Sequence, residues 1–123
     1  TNDFLNKSPS IEEDLRVLDN RKSIWVMHNP PFGGVLDINY ENRFCGSRAV
    51  RNAIERVQPI LTLHGHIHEA PLVSHRWYEQ IGDTISINPG SGNKLHAVIC
   101  DLSSDGKILY LGHTIFGDLI SGC

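Results

Sequence analysis

The sequence predicts an α/β protein in which a short parallel layer with flanking helices is followed by an antiparallel β region. Two apolar runs, 23–27 and 60–63, are rich in strand formers and predict buried strands. A helical pattern lies between them, so the order is strand, helix, strand with a short crossover. That order favours two adjacent parallel strands.

The helices are predicted from capping residues and from apolar spacing. Ser10 and Glu13 have the form of a capping box, which predicts a short helix over 10–19. A second helix is predicted over 47–57, since its apolar residues recur at spacings of three and four and Pro59 follows. Residues 32–46 are rich in Gly, Asp and Asn and predict a loop.

Beyond residue 69 the pattern changes to alternating apolar and polar residues, which is typical of antiparallel strands. Such segments occur at 72–73, 84–87, 95–102 and 107–113. Residues 103–106 suit a hairpin connection, because Gly106 can adopt a positive φ. The residues from 116 onwards carry little information.

Composition excludes few classes of protein. The 123 residues carry a net charge of -3, and nothing in this balance suggests an electrostatic footprint for nucleic acid. No apolar run reaches the roughly 18 residues that span a bilayer, and the first residues do not resemble a signal peptide. Cys45, Cys100 and Cys123 are too few and too scattered for a disulfide framework. We therefore expect reduced thiols and a cytoplasmic location.

Four of the seven histidines follow the two predicted parallel strands. His28 ends the first strand, and His64, His66 and His68 follow the second. Ligands gather at the carboxyl ends of parallel strands, so these imidazoles should face one crevice. Imidazole is a common ligand of zinc, iron and nickel. The pattern predicts a metal site that includes His28, His66 and His68.

The chain between these histidines suggests how they are oriented. In an extended segment His66 and His68 would project from the same side, and Gly65 would let the backbone turn without a Cβ penalty. By the same parity His64 could join them in a three-histidine zinc site. Its alternative is a structural role at the end of the strand.

The combined motifs resemble the calcineurin-like metallophosphoesterase family. His28-Asn29-Pro30-Pro31 is similar to the family's penultimate motif, and Gly65-His66-Ile67-His68-Glu69 is similar to its final Gly-His-x-His motif. Asn88-Pro89-Gly90-Ser91 resembles a turn that often follows. The likeness covers about residues 24–115.

The resemblance implies a fold and a chemistry. The chain, residues 1–123, would be the carboxy-terminal half of one four-layer α-β-β-α sandwich with a mixed sheet and antiparallel C-terminal strands. Two divalent ions (Mn, Fe, Zn or Ni) would be bound, His28 and His66 holding one and His68 the other. They would activate a hydroxide for hydrolysis of phosphomonoesters or phosphodiesters. The resemblance favours the structural role for His64.

The family's earlier motifs, which supply aspartate and asparagine ligands and a histidine acid, do not occur here. We therefore expect that residues upstream of Thr1, or a complementing chain, provide them, and that residues 1–123 alone are inactive. No catalytic residue is identified within the chain beyond the metal ligands. Asn29 and Asn88 are candidates for binding a substrate phosphate, although Asn before Pro is also ordinary turn chemistry.

Two other functions are open at this stage. One is a non-catalytic, phosphoesterase-like module for protein interactions, which the missing motifs would fit. The other is a histidine-triad nucleotide hydrolase, although Gly65 and Glu69 break that pattern and the motif at His28 is left unexplained. Among the remaining residues, Arg48, Arg51 and Arg56 are expected on a solvated helix face, and His75, His96 and His113 as ordinary surface or core histidines.

Overall fold

Two β-sheets form the frame of the chain in the computed structural model, which describes residues 11–121. The first sheet has four strands in the order β1-β2-β4-β3. Strands β1, β2 and β4 run parallel to one another, whereas β3 is antiparallel to β4. The second sheet is antiparallel, in the order β5-β6-β7. The strands are β1 (Ile24–Val26), β2 (Leu61–Leu63), β3 (Tyr78–Ile81), β4 (Thr84–Ile87), β5 (Val98–Leu102), β6 (Ile108–His113) and β7 (Gly117–Ser121).

Within the part of the chain that the structure describes, three helices accompany the sheets: α1 (Ile11–Leu15), α2 (Arg48–Val57) and α3 (Ala70–Ser74). The predicted strand-helix-strand unit is confirmed as β1, α2 and parallel β2. Ser47 caps α2, its side chain accepting a hydrogen bond from the Val50 amide at 3.1 Å. The first helix is shorter than predicted, and Ser10 lies outside the described residues.

The prediction for the region after residue 69 was wrong in two places. Leu72 and Val73 lie in α3, which has Pro71 in its first turn, where proline is compatible with a helix. β4 is antiparallel to β3 as predicted, but on its other side it pairs in parallel with β2 and so belongs to the first sheet. Thr84 and Ser86 make β4 resemble a half-exposed strand in sequence, but both are fully buried and hydrogen-bonded.

The predicted hairpin at Gly106 is confirmed, with φ +85° between antiparallel β5 and β6. The uninformative tail contributes β7. Thus a mixed sheet is followed by an antiparallel sheet, which is the coarse form of the predicted fold. Among residues 11–121, no helix combines the length and apolar character needed to cross a membrane.

The core has two parts. The first lies between the first sheet and α2 and contains Trp25, Val50, Ala53, Ile54, Val57 and Ile81. The second lies between the two sheets and contains Leu61, Trp77, Ile87 and Leu111. Because the second cluster draws on β2, β4 and β6, it fixes the antiparallel sheet against the parallel strands that lead to the histidines.

Candidate metal centre

Three parallel strands end together at one edge of the first sheet. Val26 is in register with Leu63, and Leu63 with Ile87. The pairing continues beyond the strands, since the Met27 amide donates to Leu63 O at 2.9 Å and the Gly65 amide donates to His28 O at 3.0 Å. The residues that follow the strands are thereby held at one edge.

The two imidazoles of His28 and His66 meet at this edge. His28 Nε2 lies 2.9 Å from His66 Nδ1, and the ring centroids are 4.8 Å apart at an interplanar angle of 67°. At this distance the two nitrogens form a hydrogen bond, in which the protonated nitrogen donates and the other nitrogen accepts. Residues 38 positions apart in sequence are therefore in direct contact.

The path of the chain at His66 differs from the prediction. The Ile67 amide donates to Gly65 O at 2.7 Å, and His66 has φ +63°. This is a three-residue turn centred on His66, of the type that is rare and strained. The expectation that Gly65 absorbs the turn was wrong, because Gly65 is not among the residues with positive φ and a Cβ there would meet nothing within 4 Å. Since the segment is a turn, the argument from extended-strand parity does not apply to His66 and His68 either.

His68 is not part of the contact between the two imidazoles. Its side chain is 71% exposed, and Nδ1 lies 3.9 Å from Glu69 Oε1. Within residues 11–121, no group of three or more His, Cys, Asp or Glu side chains is placed to hold a metal ion. The described chain thus brings two of the three predicted ligands together, and the role of His68 stays a prediction.

The surroundings of His64 fit a structural role at the end of the strand, and they do not fit a ligand of a three-histidine zinc site. It is 6% exposed, with Nδ1 2.9 Å from Asn29 O and Nε2 2.7 Å from Thr62 Oγ1. Desolvation lowers the pKa of His64 to about 4, against the opposing effect of the Asn29 carbonyl. Because both ring nitrogens are engaged inside the protein, His64 does not share a surface with His66 and His68. The histidine-triad alternative is disfavoured for the same reason.

The two candidate substrate asparagines differ in their surroundings. Asn88 is 1% exposed, and its Nδ2 donates to Leu36 O and Ile67 O, both at 2.9 Å. Its Oδ1 accepts from the Gly90 amide at 3.0 Å. With every polar atom of the side chain bonded internally, Asn88 ties loops together, and we do not retain it as a substrate ligand. Asn29 is half-buried, and its substrate role stays a prediction.

Two charged residues that hold the loop after His28 were not predicted. Asp37 is fully buried and accepts from the Gly33 amide at 2.8 Å and the Gly46 amide at 2.9 Å. Arg51 pairs with Glu79 at 2.7 Å and also donates to Phe32 O. The expected solvated role of Arg51 was therefore wrong, since its partner lies on β3, 28 residues away. No local signal could have paired these residues.

An apolar cavity of about 530 Å³ lies between the two sheets and reaches the histidines at one end. One wall is formed by Ile24 and Val26 of β1 with residues of β2 and β4, and the opposite wall by residues of β5. His28, His64 and Gly65 line the end at the sheet edge. The greater part of the cavity offers no charged group to an anion, so the polar chemistry is confined to the histidine end.

The geometry of the two imidazoles is compatible with part of a metal site. Two nitrogens bound to one tetrahedral zinc ion at about 2.0–2.1 Å would lie about 3.3 Å apart. The 2.9 Å between His28 Nε2 and His66 Nδ1 is close to that, and a small opening of the rings would accommodate an ion. A catalytic zinc site has three protein ligands, so this pair is an incomplete set.

The electrostatic setting favours the neutral form of His66. Desolvation lowers the pKa of His66, and the neighbouring His28 and His68 imidazoles lower it further, while Glu69 opposes them. Only a neutral imidazole has a lone pair for a metal ion. The shift therefore extends the pH range in which His66 can act as a ligand.

The fold and site define a mixed α/β protein with a pair of histidines at the carboxyl edge of its parallel strands. No protein-family model matches the chain. A UPF0046 protein of Caenorhabditis elegans is 30% identical to it over 91 residues, which are 74% of this chain and 29% of that protein. A solved structure with 26% sequence identity matches 64% of this chain and 28% of its own, with a TM-score of 0.48. The chain thus spans less than a third of the length of either protein.

Proposed function

We propose that this chain is part of a metal-dependent phosphoesterase, acting on phosphomonoesters or phosphodiesters, and that His28 and His66 bind one divalent ion. The observation that carries the proposal is the 2.9 Å contact between His28 Nε2 and His66 Nδ1 at the carboxyl edge of β1 and β2. The resemblance of the two surrounding motifs to calcineurin-like metallophosphoesterases supplies the reaction class.

The chain's own residues have distinct tasks in this proposal. His28 and His66 hold one ion through their facing ring nitrogens, and His68, on the exposed turn that follows, holds a second. Asn29, next to His28, orients the substrate phosphate. Bound Mn, Fe, Zn or Ni ions would supply the nucleophile and stabilise the charge that develops on the phosphoryl oxygens.

Further polypeptide would complete the site. Two imidazoles are too few for a catalytic ion, and carboxylates are needed to offset the charge of two dications. Val26 at the edge strand β1 is 80% exposed, and the apolar cavity beside it is left partly unfilled by the described residues. Both features support a larger four-layer sandwich in which an upstream segment, or a complementing chain, covers β1. The cytoplasmic location inferred from the cysteines stays a prediction.

Metal titration of single-histidine variants tests the proposal. We expect Zn²⁺ or Mn²⁺ to bind the chain, and His28→Ala and His66→Ala each to weaken binding by more than about 100-fold, since loss of a direct ligand exceeds the roughly 10–100-fold cost of losing an outer-shell partner. His75→Asn is the matched control, because His75 is exposed at the C-terminal cap of α3 and Asn tolerates its positive φ of 63°. Calorimetric affinities equal to wild type in both test variants would refute the site.

Turnover separates the complete enzyme from the chain. On aryl phosphate monoesters and diesters we expect no metal-stimulated hydrolysis by residues 1–123, and hydrolysis by the longer protein that is lost on His28→Ala. Measurable turnover by residues 1–123 would contradict the proposal that further polypeptide is needed to complete the site.

A non-catalytic interaction module is the second candidate, and the absence of a three-ligand group within residues 11–121 favours it. It predicts that the longer protein binds no divalent ion at His28 and His66 and hydrolyses neither substrate. Loss of metal binding in His28→Ala would exclude it.

A further inference from the structure

The segment that carries His28 is fixed through three consecutive carbonyl groups. His28 O accepts from the Gly65 amide at 3.0 Å, Asn29 O from His64 Nδ1 at 2.9 Å, and Pro30 O from the Ser47 amide at 2.9 Å. Pro30 and Pro31 have no amide hydrogen, so at these two positions the carbonyl is the backbone group that can form a hydrogen bond. Of the three donors, only His64 uses a side chain.

The protonation of His64 follows from its partners. The Asn29 carbonyl can only accept, so the proton lies on Nδ1. A neutral imidazole carries one N–H proton, which here is the one on Nδ1. Nε2 must then accept, and the Thr62 hydroxyl, 2.7 Å away, donates to it.

The relay extends to a third strand. Thr62 Oγ1 lies 2.5 Å from Ser86 Oγ. Because the Thr62 proton is used toward His64, the Ser86 hydroxyl donates to Thr62. Hydrogen bonds are thus donated from Ser86 on β4 to Thr62 on β2, from Thr62 to the His64 ring, and from that ring to the Asn29 carbonyl in the loop after β1. We call this series of hydrogen bonds the relay. All three side chains are buried, so each lost bond leaves a polar atom without water.

We propose that His64 is a positioning residue that, by holding the Asn29 carbonyl through Nδ1, fixes the adjacent His28 ring against His66 at a spacing suited to one divalent ion. The role toward the ion rests on the proposed function. The contact between the two rings in the metal-free chain does not, and it can be measured separately.

Two substitutions at position 64 test whether the hydrogen bond to Asn29 O, and not the imidazole ring itself, is what matters. In His64→Asn the side-chain Nδ2 branches from the γ carbon as Nδ1 does, so it can still donate to Asn29 O. His64→Leu fills a similar space and donates nothing. We expect His64→Leu to weaken Zn²⁺ binding by about 10–100-fold, the usual effect of losing a partner that orients a ligand. His64→Asn should remain within about threefold of wild type.

Thr84→Val is the matched control for lost stability. Thr84 is fully buried and donates from Oγ1 to Pro59 O at 2.6 Å, at the opposite end of the same parallel strands. Thr84→Val therefore loses the same kind of hydrogen bond as His64→Leu, from a side-chain donor to a backbone carbonyl, but far from the histidines. Its Zn²⁺ affinity should match wild type within about threefold, although its stability falls.

The ring contact is measured by nuclear Overhauser effects between the His28 and His66 ring protons in the metal-free chain, where the centroids are 4.8 Å apart. The cross-peaks should be present in wild type, His64→Asn and Thr84→Val and be lost in His64→Leu. Retention in folded His64→Leu, or an equal loss in Thr84→Val, would overturn the proposal. If wild type binds no Zn²⁺, the proposed function fails, while the ring contact still decides the role of His64.

Thr62→Val provides a second variant if His64→Leu does not fold. It removes the hydroxyl that orients Nε2 and preserves the shape of the side chain. We expect weaker cross-peaks between the rings and Zn²⁺ binding between that of wild type and a tenfold loss. Unchanged cross-peaks in a folded Thr62→Val chain would overturn the relay.

Discussion

Asp37 is a buried carboxylate whose two backbone donors tie together both ends of the loop that follows His28. Desolvation raises the pKa of Asp37 above 3.8, and the Gly33 and Gly46 amides and the Arg51 charge oppose that shift. Oδ1 is buried with no hydrogen-bond partner. The residue therefore holds the loop, but its charge is not fully compensated.

The raised pKa of Asp37 predicts the sign of a pH dependence. As the pH rises above 3.8, the unfolded chain releases this proton before the folded chain does, so the contribution of Asp37 to the free energy of unfolding falls until the pH passes its folded-state pKa. Asp37→Asn removes the titration. We expect its stability relative to wild type to increase over that pH range, as measured by urea unfolding.

The controls concern charge and hydrogen bonding separately. Asp83→Asn removes an exposed ion pair with Arg21 and should change stability by no more than about 1 kcal/mol. Asp37→Ala should cost about 1–3 kcal/mol, because the buried Gly46 amide loses its partner. Parallel curves of stability against pH for wild type and Asp37→Asn would contradict the assignment.

At the scale of elements, the junction between the His28 loop and α2 depends on one close approach of two backbones. A Cβ at Gly46 would lie 2.6 Å from Pro30 O and 2.8 Å from the Pro31 carbonyl carbon, neither of which is a flexible group. The neighbouring Ser47 amide donates to that same Pro30 carbonyl. Gly46 is thus required by packing, without any need for a positive φ.

Substitution of two glycines tests this view of the site loops. Gly46→Ala should destabilise the chain by about 1–3 kcal/mol, the usual cost of overpacking, and should displace the segment with His28. Gly65→Ala is the control and should change stability by less than about 0.5 kcal/mol, since a Cβ there meets nothing within 4 Å. Thermal or urea unfolding measures both. A larger cost at Gly65 than at Gly46 would refute the placement of the turn at His66.

At the scale of the whole molecule, the two core clusters each contain one tryptophan. Trp25 lies in the cluster against α2, and Trp77 in the cluster between the sheets. Leu111 of β6 is fully buried in the second cluster. If the clusters form one cooperative unit, a cavity in the second must destabilise the first as well.

Leu111→Ala tests this coupling between the sheets. The substitution should lower the free energy of unfolding by about 2–5 kcal/mol. The unfolding midpoint should shift equally in two fluorescence measurements, one that reads Trp25 in a Trp77→Phe background and one that reads Trp77 in a Trp25→Phe background. Leu95→Ala, at a residue 73% exposed, should leave both midpoints within experimental error. A shift seen by Trp77 alone would show that the antiparallel sheet unfolds independently.

Local patterns in the sequence were sufficient for β1, α2, β2 and the hairpin at Gly106, because each is encoded by apolar periodicity, a cap or a turn residue within a few positions. They also predicted that His28 and the histidines after β2 would approach one another, since adjacent parallel strands end at one edge.

Only the tertiary structure decided the rest. The parallel pairing of β4, the partners of Asp37 and Arg51, and the relay from Ser86 to Asn29 join residues that are distant in sequence. Buried polar side chains look the same in sequence as exposed ones, and only the surrounding chain determines whether a hydrogen-bond partner allows them to be buried. The strained turn at His66 has the same cause: the contacts that hold it, and not its own residue type, set its conformation.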